Sequence, residues 1–262
     1  MQPQHAGALR YYQFESLNPA RVTHAVFARH GGVSPAPYGS LNLSVSTGDA
    51  RDNVRANRLR AFQALGRAPE SVADLWQVHS ARVVVADTPN APADHKGQAD
   101  TLITDRPDVT LLLRFADCVP ILLYDPRRPA VGLVHAGWRG TLQKAVAVAV
   151  QAMTESYGSR PADLLAAIGP SIGPCHYEVG PEVVAQTRAV FPDADAAGLL
   201  RLVNGGHHLD LWATNAHALR AAGVEHIEQA ELCTVCHQDE FFSHRAQGAV
   251  TGRFGALIGL NA

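Results

Sequence analysis

Residues 116–141 read ADCVPILLYDPRRPAVGLVHAGWRGT. A cysteine, Cys118, closes one apolar run, and a histidine, His135, closes the next. The two lie 17 positions apart, too far for one helical face, whereas adjacent strands can bring them together. Pro120 forces Val119 out of the helical region and removes a ladder donor, so the chain must bend or change its pairing just after Cys118. The second run opens directly into a glycine-rich turn, Gly137-Trp138-Arg139-Gly140, and then into apolar sequence of helical character. The rest of the chain is expected to complete and cover this Cys–His pair.

Working outward, residues 101–104, 110–116, 121–124 and 131–134 are β-branched or Leu-rich and read as strands. Residues 141–157 read as the longest helix, with almost no polar face, which implies burial on most sides and a C-cap at Gly158. On the N-terminal side, residues 11–14, 22–28, 72–78 and 82–87 read as strands and 52–65 as a helix stopped by Gly66; residues 90–98, with a proline and a glycine, read as a loop. On the C-terminal side, strands are expected at 164–168, 199–203, 226–232 and 253–260, with helices at 181–191 and 209–222. Strands and helices mix without regular alternation. The pattern predicts one domain over residues 1–262, an α/β or mixed α+β fold with a large mixed sheet and helices packed outside it.

Composition narrows the function. Of 262 residues, 47% are hydrophobic and 18% charged, with formal net charge −2; there is core material in quantity and no basic stripe for nucleic acid. No apolar run reaches the ~18 residues of a membrane span. The first residues lack the basic start and apolar centre of a signal peptide, which predicts a cytoplasmic protein. Four cysteines are too few for a disulfide framework at this length and read as thiols or ligands.

His79, in Trp76-Gln77-Val78-His79-Ser80, closes another apolar stretch. Two His and one Cys form a known catalytic zinc set with the fourth position open; copper binds such donors as well. The same residues suit a Cys nucleophile with a His base, and spacing does not separate the two uses. A strand end, glycines and a helix start can hold an anion on backbone N–H groups, with Arg139 adding bidentate recognition of phosphate or carboxylate. The loop after residue 28, Arg29-His30-Gly31-Gly32 onward to Asn42, is long and Gly/Pro-punctuated, as functional loops often are. Phe241-Phe242-Ser243-His244-Arg245 can set rings and cations beside a planar or anionic ligand. Gly173-Pro174-Cys175-His176-Tyr177 reads as a tight loop held against another backbone. Cys233-Thr234-Val235-Cys236-His237 matches the haem-attachment pattern C-x-x-C-H, but haem does not suit a cytoplasmic chain. No second C-x-x-C pair completes a zinc site there, so these residues read as two thiols in a packed segment.

Six stretches, HGGVSPAPYGSLNL, LWQVHS, ADCVPILLYDP, VGLVHAGWRGT, IGPSIGPCHYEVG and FFSHR with the later TGR, occur in one order. Together they resemble the YfiH-like, laccase-domain family from about Arg29 to Arg253. The resemblance implies a compact α/β sandwich likened to cysteine hydrolases. It also implies a His-Cys-His site around zinc, which here falls on His79, Cys118 and His135. The activity it implies is a purine nucleoside phosphorylase acting on adenosine, inosine and methylthioadenosine with phosphate, with adenosine deaminase activity. Older or parallel descriptions are polyphenol oxidase and peptidoglycan-precursor editing. Multicopper chemistry draws on repeated H-x-H pairs; this chain has one adjacent pair, His207-His208, and no H-x-H. The expected pocket residues are Gly137, Arg139 and Gly140 for phosphate, with His30, Asn42, Cys175, His244 and Arg245 around them.

Overall fold

The break after Cys118 is where the chain passes from one sheet to another. The computed structural model describes residues 1–90 and 97–261. Its strands are β1 Gln2–Ala6, β2 Leu9–Gln13, β3 Val22–Phe27, β4 Val72–Ala73, β5 Val83–Val85, β6 Thr101–Thr104 and β7 Thr110–Phe115. They continue as β8 Val119–Asp125, β9 Ala130–Ala136, β10 Leu165–Ile168, β11 Leu200–Val203, β12 Gly206–Leu209, β13 His226–Gln229 and β14 Phe254–Leu260. The helices are α1 Arg51–Ala64, α2 Trp138–Leu142, α3 Ala145–Tyr157, α4 Pro181–Val190, α5 Leu211–Ala221 and α6 His244–Gln247. One six-stranded sheet has the order β1-β2-β3-β14-β7-β4; the other runs β13-β10-β8-β9-β6-β5, and β11 and β12 form a separate hairpin. Both large sheets are mixed, with parallel pairs at β4–β7, β5–β6 and β10–β13.

Alternation along the strands builds the layers. Leu111, Leu113 and Phe115 of β7 and Ile258 of β14 share a core with Leu122 and Tyr124 of β8 and Leu133 of β9, filling the space between the sheets. Leu112 and Leu257 face the other way, onto Ala61 and Phe62 of α1. Ile121, Leu123 and Val134 pack against Val146, Ala149, Val150 and Met153 of α3 and Leu219 of α5. The result is an α/β/β/α sandwich. The fold class is the expected one, with the strands divided between two large mixed sheets.

Several boundaries differ from the sequence reading. The helix expected over 141–157 is two helices: Lys144 adopts a left-handed conformation (φ 56) between α2 and α3. Helix α3 buries one face, from Ala145 to Met153, while Val148 is exposed. The strand expected over 72–78 stops at Ala73, because from Asp74 onward side chains take over the backbone partners: Asp74 N–H donates to Asn90 Oδ1 and Leu75 N–H to Asp74 Oδ1. Pro120 lies inside β8, opposite His135 and one residue beyond the Ile121–Ile168 pairing with β10. Strands β1 and β12 and the short α6 have no counterpart in the expectation. Of the loop expected over 90–98, residues 91–96 lie outside the described residues. Among the described residues no helix is long and apolar enough to cross a membrane.

Candidate metal centre and its cavity

Three pieces of chain deliver the three residues. Cys118 sits in the crossover from β7 to β8, and His135 is the penultimate residue of β9. His79 lies in a turn with φ 62, a left-handed conformation that costs a non-glycine residue roughly 1–2 kcal/mol. The turn is held on both sides. The Gln77 side-chain amide continues the β7 ladder: its Nε2 donates to Arg114 O at 2.8 Å and its Oε1 accepts from Arg114 N–H at 3.0 Å. Asp100, fully buried just ahead of β6, accepts from the N–H groups of Val78, His79 and Ser80 at 3.2, 2.9 and 2.6 Å. It also accepts from Ser80 Oγ at 2.9 Å and pairs with His135 Nδ1 at 2.8 Å.

With Nδ1 engaged by Asp100, His135 has Nε2 for the site. One ligand atom from each of His79, Cys118 and His135 lies within 4.8 Å of the others, and His79 Nε2 is 3.8 Å from Cys118 Sγ. Zinc at its usual bond lengths holds tetrahedral N and S ligands about 3.6 Å apart, so the donor set fits with one position open. A carboxylate behind a ligating histidine is the usual means of fixing its tautomer and orientation. Gly137 completes the fit: a Cβ there would lie 2.8 Å from Cys118 Sγ and 3.1 Å from His79 Cδ2.

The charges reinforce one another. Burial pushes the Cys118 thiol up, but His135 and His79 outweigh it and hold the thiol at about 6. Burial lowers His135, but Cys118 and Asp100 outweigh it and raise the imidazole to about 9. Burial raises Asp100, while the hydrogen bonds from His135 and Ser80 and the His135 charge bring it down to about 2. Without a metal the ring–thiol pair is polarised toward thiolate and imidazolium; a metal on Cys118 Sγ and His135 Nε2 would take the place of the Nε2 proton and leave a neutral ring with Nδ1–H on Asp100.

The three residues open on a cavity of about 490 Å³. Its wall carries four arginines, Arg114, Arg139, Arg245 and Arg253, one carboxylate, Asp117, and the rings of Trp76, Trp138 and Tyr177. Arg114 is paired with buried Asp74, which Arg58 also contacts at 3.0 Å. Arg139 lies over Trp138 at 4.5 Å and Arg245 over Tyr177 at 5.2 Å. Asp117 (φ 80) ties the crossover to later loops, accepting from Thr234 Oγ1 and Arg245 N–H, both at 2.6 Å.

Of the residues expected around the site, Gly137, Arg139, His244 and Arg245 line this cavity. Gly140 lies behind it, where a Cβ would be 3.5 Å from the carbonyls of His135 and Ser80. The helix after the glycine turn, α2, has only five residues, so it offers little dipole and the arginines carry the positive charge. His30 lies outside the cavity, exposed, 3.8 Å from Glu240. Asn42 also lies outside it: fully buried, it bonds Thr47, Asp49 and the Ser44 and Arg253 backbone, shaping the loop that presents Ser44 and Ser46 to the cavity. Cys175 belongs to a separate group with His176, Cys233 and Cys236. That corrects the reading of Cys233 and Cys236 as a pair without a second pair; Cys175 and His176 supply it from another loop. Asp100 has no signal in the sequence beyond being an aspartate at the edge of an apolar strand, whereas Asp117 is marked by its place as a charged residue immediately before Cys118.

Residues 23–261 match the family described as multi-copper polyphenol oxidoreductase laccase. The chain belongs to this YfiH-like laccase-domain family. It is 40% identical over 242 residues to a purine nucleoside phosphorylase of Deinococcus radiodurans, covering 91% of this chain and 89% of that protein. It is 34% identical to a purine nucleoside phosphorylase of Bacteroides thetaiotaomicron, covering 93% and 94% of the two chains. Among solved structures, YlmD from Geobacillus stearothermophilus superposes with a TM-score of 0.92 at 35% identity, over 99% of this chain and 98% of that one. The laccase description does not fit the donor sets. Among the described residues they are two compact Cys/His groups, and neither includes the adjacent His207-His208 pair; His208 Nδ1 is instead engaged with Pro174 O.

Proposed function

We propose that this laccase-domain protein is a cytoplasmic, zinc-dependent purine nucleoside phosphorylase acting on adenosine, inosine and methylthioadenosine, with adenosine deaminase activity. The observation that carries it is the three-ligand centre of His79, Cys118 and His135 opening on a cavity with arginines and aromatic rings together. Relatives bearing the phosphorylase name support the same reading.

The cavity's chemistry suits both halves of the substrate pair. Arg139, Arg245 and Arg253 supply charge for a phosphate dianion, and Ser44 and Ser46 supply hydroxyls. Trp76, Trp138 and Tyr177 offer faces for a purine. In phosphorolysis a phosphate oxygen bonds to C1′ of the ribose as the C1′–N9 bond breaks, and the base leaves with the electron pair and takes up a proton. In deamination, water replaces the C6 amino group and ammonia leaves. Zinc with an open position supplies Lewis acidity and an activated water, a need that deamination has directly. Asp100 holds His135 in one tautomer and fixes the His79 turn, so the donors are arranged before substrate arrives.

The test is to incubate purified protein with inosine, with and without phosphate. Ribose 1-phosphate and hypoxanthine should form only with phosphate, and adenosine should yield inosine as well as adenine. Absence of phosphate-dependent product would sink the phosphorylase reading.

A second reading draws on the Asp100–His135 bond at 2.8 Å beside a thiol lowered to about 6. Asp, His and Cys in that relation suit a cysteine hydrolase or amidase, with Cys118 the nucleophile and His135 the base. Zinc bound in stoichiometric amount and lost in Cys118→Ala argues against a free nucleophile.

A further inference from the structure

Away from the cavity centre, two loops meet over four donor atoms. Cys175 and His176 come from the loop after β10, and Cys233 and Cys236 from the segment after β13, up to 61 residues distant. One donor atom from each lies within 4.8 Å of the others, and all three cysteines are free thiols. Cys175 Sγ and Cys236 Sγ are 3.7 Å apart. His176 Nδ1 stands 3.2, 3.7 and 3.5 Å from the sulfurs of Cys175, Cys233 and Cys236. With Zn–S of about 2.3 Å and Zn–N of about 2.0 Å, a tetrahedron has S–S edges of about 3.8 Å and S–N edges of about 3.6 Å. The Cys175–Cys236 edge and the His176 edges to Cys233 and Cys236 match these values, the His176–Cys175 edge is shorter, and Cys233 Sγ lies within 4.8 Å of the other two sulfurs.

The surroundings are those of a thiolate site. Gly173 N–H points at Cys233 Sγ from 3.2 Å, and such donors stabilise metal-bound thiolates. A side chain at Gly173 would collide with Trp212 at 2.6 Å, so glycine is what allows that approach. Thr234, inside the C-x-x-C, is anchored to Asp117, the neighbour of Cys118. Arg245 donates to His176 O at 3.0 Å, setting a cation beside a centre that three thiolates and a divalent ion would leave at −1.

We propose that Cys175, His176, Cys233 and Cys236 bind a second zinc ion in a closed Cys3His site. Binding displaces one proton from each cysteine to solvent and leaves no open position, so the ion is structural. It joins the loop that carries Tyr177 to the segment leading to His244 and Arg245, and so fixes one wall of the cavity. A redox role would instead join Cys175 to Cys236 as a disulfide.

Zinc per chain, measured by elemental mass spectrometry on protein purified in reductant, separates these. A Cys175→Ser/Cys236→Ser variant should hold one equivalent less than the parent, in the native background and in Cys118→Ala alike. The comparison does not depend on whether the His79 centre is loaded. Equal zinc in parent and variant overturns the proposal, as does an intact mass showing a Cys175–Cys236 disulfide in place of zinc. If the double variant does not fold, Cys118→Ala alone decides. Its cobalt(II) adduct should keep the strong near-ultraviolet absorption of several thiolate ligands, which the His79–His135 pair has no sulfur to produce. Its absence overturns the proposal.

Discussion

Asp100 makes more contacts around the centre than any of the three candidate ligands. It holds three backbone N–H groups, a hydroxyl and His135 with one carboxylate. In Asp100→Asn an amide group replaces one acceptor oxygen, so at least one buried donor loses its partner and His135 its orientation. Zinc affinity by competition titration should fall roughly 10–100-fold, the range typical for a partner behind a ligating histidine. Unchanged affinity would mean that the carboxylate is incidental to the donor geometry. Gly137→Ala tests the same geometry from the other side. Its Cβ would sit 2.8 Å from Cys118 Sγ, so the thiol or the turn must move. We expect at least about tenfold weaker zinc binding, by analogy with other displaced ligands, with little change in thermal midpoint because the new methyl group faces the cavity. At this scale the sequence was readable where a residue's neighbours announce it: Cys118, His135 and His79 each end an apolar run. Asp100 looked like any aspartate before a strand, since its five donors come from segments 20 to 22 and 35 residues away.

Strand elements were legible wherever apolar runs were long, and their partners were not. Strand β8 is buried along its whole length, so the sequence shows no alternation, yet Leu122 faces the other sheet while Ile121 and Leu123 face α3. That is why one large sheet was expected where two are stacked. Leu122→Ala removes methyl groups from the layer between two sheets that cannot readily collapse. It should cost about 2–5 kcal/mol in urea unfolding. A loss well under 1 kcal/mol would show that the two sheets do not pack as a rigid pair. Helix boundaries failed for a local reason. Nothing in Gln143-Lys144-Ala145 marks a stop, and Lys144 takes a positive φ while its ammonium lies 5.4 Å from the Phe191 ring. The second donor cluster failed for a topological one: its C-x-x-C is visible as a motif, but the pair that completes it lies 57 to 61 residues earlier.

Over the whole molecule, one titrating group that should affect stability lies far from the cavity. His24 is fully buried in β3, stacked on Phe14 with centroids 6.3 Å apart, and its Nε2 accepts from Phe14 N–H at 2.9 Å. An imidazole that accepts there must be neutral, and burial lowers it from 6.5 to about 4. The unfolded chain takes up this proton near pH 6.5 and the folded chain only near 4, so stability is complete above that window and is lost as pH falls through it. Between neutrality and pH 5 the linkage amounts to about 2 kcal/mol from this one group. Cys118, lowered to about 6, loses stability as pH falls and His135, raised to about 9, gains it, so this pair offsets in part. Asp100, held at about 2, adds a loss only at lower pH, so His24 gives the larger share of the first part of the acid limb. Urea unfolding at pH 7.5, 6 and 5 should therefore show a falling free energy in the parent. His24→Gln can still accept from Phe14 N–H through its amide oxygen but does not titrate; it should be less stable at neutral pH and flatter across the window. Parallel curves for the two proteins would show that the proton uptake lies elsewhere.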